Sequence, residues 1–520
     1  MWVYPEVRTL GDLPAFYARR DPDRLALTQG DLRITFGALE RMANQTAHWL
    51  VEQGARADML VGFLGKNSPD FYIAVFGCAK TRAGLAVLNW RLAATELAAQ
   101  IADSETPLVI VEREFAGLWR EACDQLGPAA PRVAWIGGEQ GLETITAGRP
   151  EHRPDIAVSE DDTVLQLYTS GTTGRPKGVM LSHGGMNRMR LCEHLEPAYD
   201  WRPGDSFLNP LPNFHLLHIG IAMQCLYNGV AIGILRQFEP AAVLAAITHS
   251  RPALIAVTPA MLQMLLDHKD APTTDFSSLR LTLYAGSAIS LGLIKRAIAA
   301  MPCRFMQFYG STESGGAASI LRPDEHDLEN EARLQSCGRP LPLVEFRIVS
   351  PDGADVPDGE AGELLIRAPS ITKGYWRQPE TTALVLQNGW YRSGDIARRD
   401  TEGLYYIVDR AKDMIVSGGE NIYSAEVENV LSLHPGVAGV AVIGVPDARW
   451  GEAVKALVIP RQGETFTEAA LIDFCRARLA AYKTPKSIEF VDEFPLVASG
   501  KVSKKELRAR YWRNESRGVG

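Results

Sequence analysis

A run of hydroxylated residues and glycines, residues 169–178, constrains this 520-residue chain more than any other stretch. The residues before it, 163–168, form an apolar segment that is typical of a strand. Glycines let a backbone approach an anion closely, and consecutive N–H groups form a concave anion site. The hydroxyl groups add hydrogen-bond donors, and a lysine adds a point charge. We therefore predict a polyphosphate loop whose contacts are made by Thr169, Ser170, Gly171, Thr172, Thr173, Gly174 and Lys177.

This loop is not a P-loop of the Gly-x4-Gly-Lys-Ser/Thr type. Pro176 stands five residues after Gly171, where that pattern requires its second glycine. A lone Gly/Ser/Thr run is more often a surface turn between two elements. The phosphate interpretation therefore depends on other motifs in the chain.

Composition limits the classes of function. The hydrophobic content of 46% and the charged content of 22% are typical of a globular protein, and the net charge of −8 argues against nucleic acid as the main partner. No apolar run reaches the ~18 residues that indicate a membrane span, and the N-terminus lacks a signal-peptide pattern. The seven cysteines are scattered and never form Cys-x-x-Cys, so we expect no disulfide frame or zinc site, and a cytoplasmic location.

The order of elements predicts an α/β fold with a second, smaller domain. Short apolar strands alternate with amphipathic helices before and after the phosphate loop, which favours two parallel α/β sheets, with the strand at 31–36 at the start of the first. Thr35 is placed to cap the helix that follows it. Later glycines, prolines and short alternating strands indicate a small barrel-like segment. We predict a large N-terminal domain, residues 1–411, and a small α+β domain, residues 412–520.

Six further motifs follow in a fixed order. Together with the phosphate loop they resemble the signature motifs of the adenylate-forming superfamily, and the resemblance covers nearly the whole chain. That superfamily includes acyl-CoA synthetases, peptide-synthetase adenylation domains and beetle luciferases. The motifs are Pro-Asn-Phe-His at 212–215, Gly-Ser-Ala at 286–288, Tyr-Gly-Ser-Thr-Glu at 309–313, Tyr-Arg-Ser-Gly-Asp at 391–395, Asp-Arg at 409–410 and Pro-Leu-Val-Ala-Ser-Gly-Lys at 495–501.

The resemblance implies roles for these residues in forming an acyl adenylate. A carboxylate that attacks an α-phosphate brings two anions together, so catalysis relies on positioning and on cations near the developing charge. The implied catalytic residues are Lys501, Thr312, Glu313 and His215. The implied nucleotide contacts beyond the loop are Gly286, Ser287, Ala288, Tyr309, Asp395 and Arg410. Glu313 and Thr169 would provide oxygen ligands for Mg²⁺, which prefers such ligands and bridges phosphates.

The second half-reaction and the acid have their own candidates. The resemblance implies a CoA site formed by Gly418, Gly419, Glu420, Arg91, Trp450 and Lys486, although Thr484 stands where some such ligases have an arginine. The predicted acyl pocket contains His215, Leu216, Leu217, Tyr284, Gly310 and Gly315. Lys412 occupies the hinge position, so rotation of a mobile small domain would exchange Lys501 for the loop at 417–422.

These observations predict an ATP- and Mg²⁺-dependent, AMP-forming acyl-CoA synthetase. His215 replaces the aspartate usual in amino-acid-activating domains, and the pocket is apolar, so we expect a medium- or long-chain fatty acid or an aryl or arylpropenoic acid. The alternatives are an acyl-AMP ligase that loads a carrier-protein phosphopantetheine, a luciferase-like oxygenase, and a non-catalytic acyl or nucleotide binder. The sequence leaves a homodimer open.

Overall fold

The computed structural model describes residues 6–138, 140–170, 176–202, 204–410, 413–417, 420–447, 449–464, 466–496 and 502–512. The strands are β1 Leu25–Gln29, β2 Leu32–Thr35, β3 Leu60–Leu64, β4 Gly84–Val87, β5 Leu108–Glu112, β6 Arg132–Ile136, β7 Thr163–Ser170, β8 Pro176–Ser182, β9 Ser206–Asn209, β10 Ala231–Ile234, β11 Leu254–Val257, β12 Leu281–Ala285, β13 Arg304–Ser311, β14 Gly316–Leu321, β15 Arg339–Pro340, β16 Glu345–Val349, β17 Gly362–Arg367, β18 Gly374–Tyr375, β19 Leu386–Gln387, β20 Trp390–Arg399, β21 Tyr405–Arg410, β22 Ile415–Ser417, β23 Glu420–Ile422, β24 Val437–Asp447, β25 Gly451–Pro460 and β26 Ser487–Phe490.

The helices are α1 Asp12–Arg20, α2 Phe36–Glu52, α3 Pro69–Cys78, α4 Ala94–Ser104, α5 Ala116–Leu126, α6 Leu142–Thr146, α7 His183–His194, α8 Leu216–Tyr227, α9 Pro240–Ser250, α10 Pro259–Asp267, α11 Leu291–Ala300, α12 Glu331–Leu334, α13 Pro379–Val385, α14 Ser424–Ser432, α15 Glu468–Arg476 and α16 Lys504–Ala509. The predicted cap at Thr35 is confirmed, since its hydroxyl oxygen accepts a hydrogen bond from the Ala38 N–H at 3.2 Å. Ser68 and Ser182 cap α3 and α7 in the same way.

Two large sheets form the body of the molecule, as the sequence predicts. One has the strand order β2-β1-β10-β9-β11-β12-β13-β14-β15, and the other has the order β6-β5-β3-β4-β7-β8-β18. The pairs from β1 to β13 along the first sheet are parallel. A shared hydrophobic core joins the two sheets and the helices that cover them.

The sheet membership of the first strands corrects the prediction. The strand at 31–36 does not begin the sheet built from β3 onwards. Instead, β1 pairs in parallel with β10, with Leu27 opposite Ile232, and β2 pairs with β1. Leu27 and Ile232 are both fully buried, so this pairing places an apolar strand in the interior. The order of elements along the chain could not reveal this crossover.

Antiparallel pairs lie where the two large sheets carry the functional motifs. Strands β7 and β8 form a hairpin around the predicted phosphate loop, with Thr169 opposite Lys177. Thr169 and Ser170 therefore belong to β7, whereas the sequence placed them in the loop. Strands β13 and β14 form a second hairpin around residues 312–315.

A third sheet corresponds to the predicted barrel-like segment. Its strands follow the order β16-β17-β20-β19, with β21 beside β20, and all the pairs are antiparallel. The register of β20 and β21 sets Asp395 opposite Arg410. Two motif residues that are distant in sequence are thereby paired.

The small α+β part follows β21. Its sheet has the order β23-β22-β25-β24, with β26 parallel to β25, and it buries a separate core that includes Val427, Leu431 and Val442. Asp409 at the end of β21 accepts hydrogen bonds from the backbone N–H and the hydroxyl of Ser424, at 2.7 and 2.8 Å. Among the described residues, no helix has the length and apolar character needed to cross a bilayer.

Three buried histidines make the fold sensitive to acid. Burial lowers the pKa of His183 and His326 to about 4 and that of His218 to about 3, against 6.5 for an ordinary histidine. In the unfolded chain these histidines take up protons near pH 6.5, a higher pH than in the folded protein. Their contribution to the free energy of unfolding is therefore complete above about pH 6.5 and is lost as the pH falls towards 4. We predict that the thermal midpoint, measured by scanning calorimetry, drops between pH 7 and pH 5, at a cost of roughly 1–3 kcal/mol per protonated site.

A matched pair of substitutions tests the assignment. Tyr284 donates its hydroxyl hydrogen to His326 Nε2 at 3.0 Å, and glutamine at position 326 would keep an acceptor but bind no proton. His326→Gln should therefore show a smaller drop of the thermal midpoint between pH 7 and pH 5 than the wild type does. His249→Gln, at an exposed site, should show the same drop as the wild type. Equal acid sensitivity in both variants and the wild type would contradict the role of His326.

Candidate functional site

Near the end of β13 a predicted nucleotide contact, Tyr309, meets two others, Asp395 and Arg410, on the third sheet. Tyr309, at the end of β13, donates its hydroxyl hydrogen to Asp395 Oδ2 at 2.7 Å. The guanidinium of Arg410 lies 3.2 Å from Asp395 Oδ1. Burial, reinforced by Asp395, raises the pKa of Tyr309, and the Asp395 carboxylate raises that of Arg410. An aromatic ring, a carboxylate and a cation are thus held together, a set suited to a nucleoside.

The other end of the same turn reaches the second large sheet. Glu313 is only 8% exposed, and its Oε1 atom accepts hydrogen bonds from the hydroxyl groups of Thr169 at 3.3 Å and Tyr375 at 3.1 Å. The ammonium group of Lys177 lies 4.9 Å from the centroid of the Tyr375 ring. Burial, with a further contribution from Glu313, raises the pKa of Tyr375, so this phenol stays protonated and donates. A carboxylate, a hydroxyl and a cation therefore meet beside the phosphate hairpin.

The segment that precedes β18 fixes this turn in place. The Thr372 N–H donates to the carbonyl oxygen of Glu313 at 2.9 Å, and the Ser370 hydroxyl donates to the carbonyl oxygen of Ser314 at 2.8 Å. Gly315 has φ +77°, and a Cβ there would lie 2.0 Å from the Ser370 carbonyl oxygen. The missing side chain at Gly315 therefore permits this close contact, and its predicted place in the acyl pocket stays a prediction.

His215 stands at the start of α8, next to a group of aromatic rings. Its imidazole packs edge-to-face on Phe214, with centroids 4.6 Å apart, and Phe214 contacts Trp90 in the same manner. The Arg91 guanidinium lies over the Trp90 ring at 4.9 Å and near Phe214 at 5.8 Å. Partial burial lowers the pKa of Arg91. The structure thus brings two predicted residues, His215 and Arg91, to the same aromatic cluster.

The other predicted pocket residues differ in their surroundings. Leu216 is buried and Leu217 is partly exposed along α8. Gly310 is exposed, and a Cβ there would lie 2.0 Å from the carbonyl oxygen of Gly316. The side chain of Tyr284 is buried and its hydroxyl group donates to His326, so the position of this ring is fixed.

The remaining predicted contacts lie at exposed positions. Gly286, Ser287 and Ala288 follow β12 and are exposed, and so is Glu420 at the start of β23. Trp450 is 41% exposed, with the Arg449 guanidinium 4.6 Å from its ring. Lys486 lies at the rim of a surface cavity of about 490 Å³ that Arg476 and Thr484 also line. Thr312 lies in the β13–β14 turn.

Several predictions fall on residues outside the described part of the chain. These are Gly171, Thr172, Thr173 and Gly174 of the phosphate loop, the side chain of Ser170, the hinge residue Lys412, the glycines Gly418 and Gly419, and the catalytic candidate Lys501. Their roles stay predictions, and so does the domain boundary at residues 411 and 412.

Sequence reasoning missed Tyr375 and the Trp90–Phe214 pair. Tyr375 lies in Gly-Tyr-Trp at 374–376, and a short aromatic run of this kind carries no spacing that would connect it to Glu313. Only the pairing of β18 with β8, in which Tyr375 faces Val179, places it there. Among the described residues no group of three or more His, Cys, Asp or Glu side chains is placed to hold a metal ion.

Comparison with protein families identifies two matching regions. Residues 16–376 match the model described as AMP-binding enzyme, and residues 426–501 match the model described as AMP-binding enzyme C-terminal domain. The first match alone spans more than half of the chain. It includes β7, β8 and the β13–β14 turn.

Individual relatives match along their whole length. The chain is 36% identical over 519 residues to the fatty acid–[acyl-carrier-protein] ligase ScoC of Streptomyces coeruleorubidus, with 99% of each chain covered. It is 38% identical over 503 residues to a feruloyl-CoA synthase of an Amycolatopsis species, covering 96% of this chain and 99% of that protein. The crystal structure of the anthranilate CoA ligase AuaEII in complex with anthranoyl-AMP matches with a TM-score of 0.89 at 28% identity, covering 98% of both chains.

The Tyr375–Glu313 hydrogen bond leads to a prediction about nucleotide affinity. Tyr375→Phe removes only the hydroxyl group and leaves the Glu313 carboxylate without one of its donors. A hydrogen bond to a charged group contributes roughly 1.5–3 kcal/mol, so we expect ATP to bind about tenfold more weakly in the presence of Mg²⁺. Calorimetric titration at several Mg²⁺ concentrations measures this change.

The control is a second buried tyrosine that also donates to a carboxylate. The Tyr406 hydroxyl donates to Asp400 at 2.8 Å, on the turn after β20. Tyr406→Phe should leave ATP affinity unchanged. An equal loss in both variants would show that the effect of Tyr375→Phe is structural and unrelated to Glu313.

Proposed function

The chain belongs to the family of AMP-binding enzymes, and we propose that it is an AMP-forming acyl-CoA synthetase for a hydrophobic carboxylic acid. The acid is a medium- or long-chain fatty acid or an aryl or arylpropenoic acid. One observation carries the proposal: the two ends of the five-residue motif 309–313 contact a nucleoside-type set, Tyr309 with Asp395 and Arg410, and a phosphate-type set, Glu313 with Thr169. Acid–thiol ligase chemistry is also that named for the feruloyl-CoA synthase relative.

In the first half-reaction the acid carboxylate attacks the α-phosphorus of ATP. An acyl-phosphate bond forms, the bond to the β-phosphate breaks, and pyrophosphate leaves. Asp395 and Arg410 would hold the ribose, and Lys177 with the phosphate loop would hold the phosphates. Lys501 would place its charge among the carboxylate, ribose and α-phosphate oxygens, where it lowers the repulsion between two anions.

The polar groups around Glu313 fit a hard divalent cation. Glu313 and Thr169 offer a carboxylate and a hydroxyl oxygen within 3.3 Å of one another, and oxygen is the ligand type that Mg²⁺ prefers. When bound, Mg²⁺ would supply positive charge that offsets the charge of the phosphates. Tyr375 donates to Glu313 Oε1 and so holds this carboxylate in a fixed orientation.

In the second half-reaction the CoA thiol attacks the acyl carbonyl carbon. The thioester forms, the bond to AMP breaks, and the thiol proton is lost. Arg91, Trp450, Lys486 and the loop at 417–422 would bind CoA. Arg91 is proposed to contact the nucleotide end of CoA, and its guanidinium, which lies over Trp90 and near Phe214, is held by these two rings.

A carrier-protein acceptor is the second candidate. The ScoC relative, named as a fatty acid–[acyl-carrier-protein] ligase, covers 99% of this chain at 36% identity.

The proposal includes a cytoplasmic location, since the seven cysteines are free. Whether the chain is a homodimer is decided by light scattering after gel filtration.

Pyrophosphate release across a panel of fatty and aryl acids, with and without CoA, tests the function. We expect release that requires an acid and yields acyl-CoA by mass spectrometry. Accumulation of acyl-AMP with CoA unused, and transfer to a phosphopantetheinylated carrier protein, would favour the second candidate. Absence of release with every acid would reject both.

Lys501 separates the two half-reactions. We predict that Lys501→Ala lowers acyl-AMP formation at least ~100-fold, by analogy with removing one preorganised donor. Thioester formation from supplied acyl-AMP should be largely retained, because the proposed thiol site does not use this lysine. Lys505→Ala, at an exposed position in α16, is the matched control and should leave both rates near those of the wild type. Equal losses in both half-reactions of Lys501→Ala would refute this division.

A further inference from the structure

The hairpin of β7 and β8, which carries the predicted phosphate loop, is supported unevenly by its neighbours. On the β8 side, the Trp376 N–H donates to the carbonyl oxygen of Gly178 at 2.7 Å. On the β7 side, β4 pairs with β7 as far as Gln166, and within the described part of the chain no strand continues this pairing towards the loop. The last residues of β7, 167–170, therefore depend on β8 and on side-chain contacts for their position.

The two faces of this hairpin have different contacts. Thr169 lies opposite Lys177 in the register. Tyr168 lies opposite Gly178. Successive side chains along a strand point to opposite faces, and directly opposed residues share a face. Because the Thr169 hydroxyl donates to Glu313, Thr169 and Lys177 lie on the face towards the site. Tyr168 and Gly178 consequently lie on the outer face.

Tyr168 connects the outer face of the hairpin to α4. Its hydroxyl group donates to Asp103 Oδ2 at 2.9 Å, and the carbonyl oxygen of Gln100 is a second acceptor at 3.1 Å. Burial, reinforced by Asp103, raises the pKa of Tyr168, so this phenol stays protonated and donates. Helix α4 packs through Leu97 and Ile101 on a core that includes residues of β3 and β5. The contact thus joins the less supported strand end to a packed helix.

A glutamine and a glycine complete this contact. The side-chain amide of Gln166, which is fully buried, donates to the hydroxyl oxygen of Tyr168 at 3.0 Å. A Cβ at Gly178 would lie 2.4 Å from Gln166 Nε2. The missing side chain at Gly178 therefore leaves room for the amide. Since the phenol oxygen accepts from Gln166, its hydrogen is directed towards α4.

We propose that Asp103 is a positioning residue for ATP binding, which acts through Tyr168 to hold the end of β7. The inference rests on the proposed function and adds a residue outside the proposed site. Thr169 directly follows Tyr168, so a fixed Tyr168 keeps Thr169 and Lys177 in place before ATP binds. Loss of the Asp103 carboxylate would leave the strand end to be ordered during binding, and this cost would weaken the binding of ATP.

Single substitutions test the contact from both ends. Tyr168→Phe removes the hydroxyl and keeps the ring, whereas Asp103→Ala removes the acceptor. We expect each variant to raise the Kd of ATP, measured by calorimetry with Mg²⁺ and without acid, about tenfold. KM for ATP in pyrophosphate release should rise to the same extent, and KM for the acid should change little. Asp103→Asn keeps an acceptor oxygen and should retain most of the wild-type affinity for ATP.

A double variant tests whether Asp103 acts through Tyr168. If it does, Tyr168→Phe combined with Asp103→Ala should weaken ATP binding about tenfold, as each single change does, and not the ~100-fold expected of independent sites. Tyr406→Phe is the matched control, since it removes the hydroxyl of another tyrosine that donates to a carboxylate, Asp400. It should leave the Kd of ATP and both KM values unchanged.

Four results would overturn the inference. They are an unchanged Kd of ATP in Tyr168→Phe, additive losses in the double variant, a loss in Asp103→Asn as large as that in Asp103→Ala, and an equal rise of KM for ATP and for the acid. The last result is the one that a general loss of structure produces.

Failure of the proposed function gives a different pattern. If the wild type binds ATP but releases no pyrophosphate with any acid, the ligase assignment fails. The Kd of ATP in the single and double variants then decides the role of Asp103 by itself. A wild type that binds no ATP would reject the ligase assignment and this inference together.

Discussion

The hydrogen bonds that Glu313 accepts from the opposite sheet hold the site together. Glu313 follows a strand of one large sheet, whereas Thr169 and Tyr375 belong to the other. A buried carboxylate is costly unless donors surround it, and here those donors come from across the boundary between the sheets. Packing of the shared core keeps the two sheets close, and this contact joins them at the β13–β14 turn.

The sequence of the β13–β14 turn explains why the turn has a fixed conformation. Gly310 cannot bear a side chain, since a Cβ would lie 2.0 Å from the Gly316 carbonyl oxygen. Ser311 and Ser314 exchange hydrogen bonds between their backbone N–H groups and hydroxyl oxygens, at 2.9 and 3.1 Å. These bonds satisfy the polar groups of a tight connection that no longer follows the sheet. Tyr309, near the end of β13, consequently contacts Asp395, whereas Glu313 in the turn contacts Thr169 and Tyr375.

Local sequence patterns predicted the helices and strands, but they could not predict which strands pair when those strands are far apart in the chain. The cap at Thr35 acts within a few residues, so it could be read from the sequence. The pairing of β1 with β10 connects residues about 200 positions apart and follows from burial of Leu27 against Ile232, which has no local pattern. The motif residues Asp395 and Arg410 were predicted by resemblance, yet their contact depends on strand register. Tyr375 was indicated neither by a local sequence pattern nor by a motif of the resemblance.

The end of β21 connects the nucleotide site to the small domain. Arg410 contacts Asp395, whereas its neighbour Asp409 accepts two hydrogen bonds from Ser424, the first residue of α14. Successive side chains on a strand point to opposite faces, so Arg410 contacts Asp395 on one side while Asp409 contacts Ser424 on the other. Lys504 reinforces this junction, since its ammonium group donates to the Ser424 hydroxyl and pairs with Glu428 at 2.7 Å. A rotation of the small domain about residue 412 must therefore break the Asp409–Ser424 bonds or carry Asp409 with it, and either change acts directly on the residue that precedes Arg410.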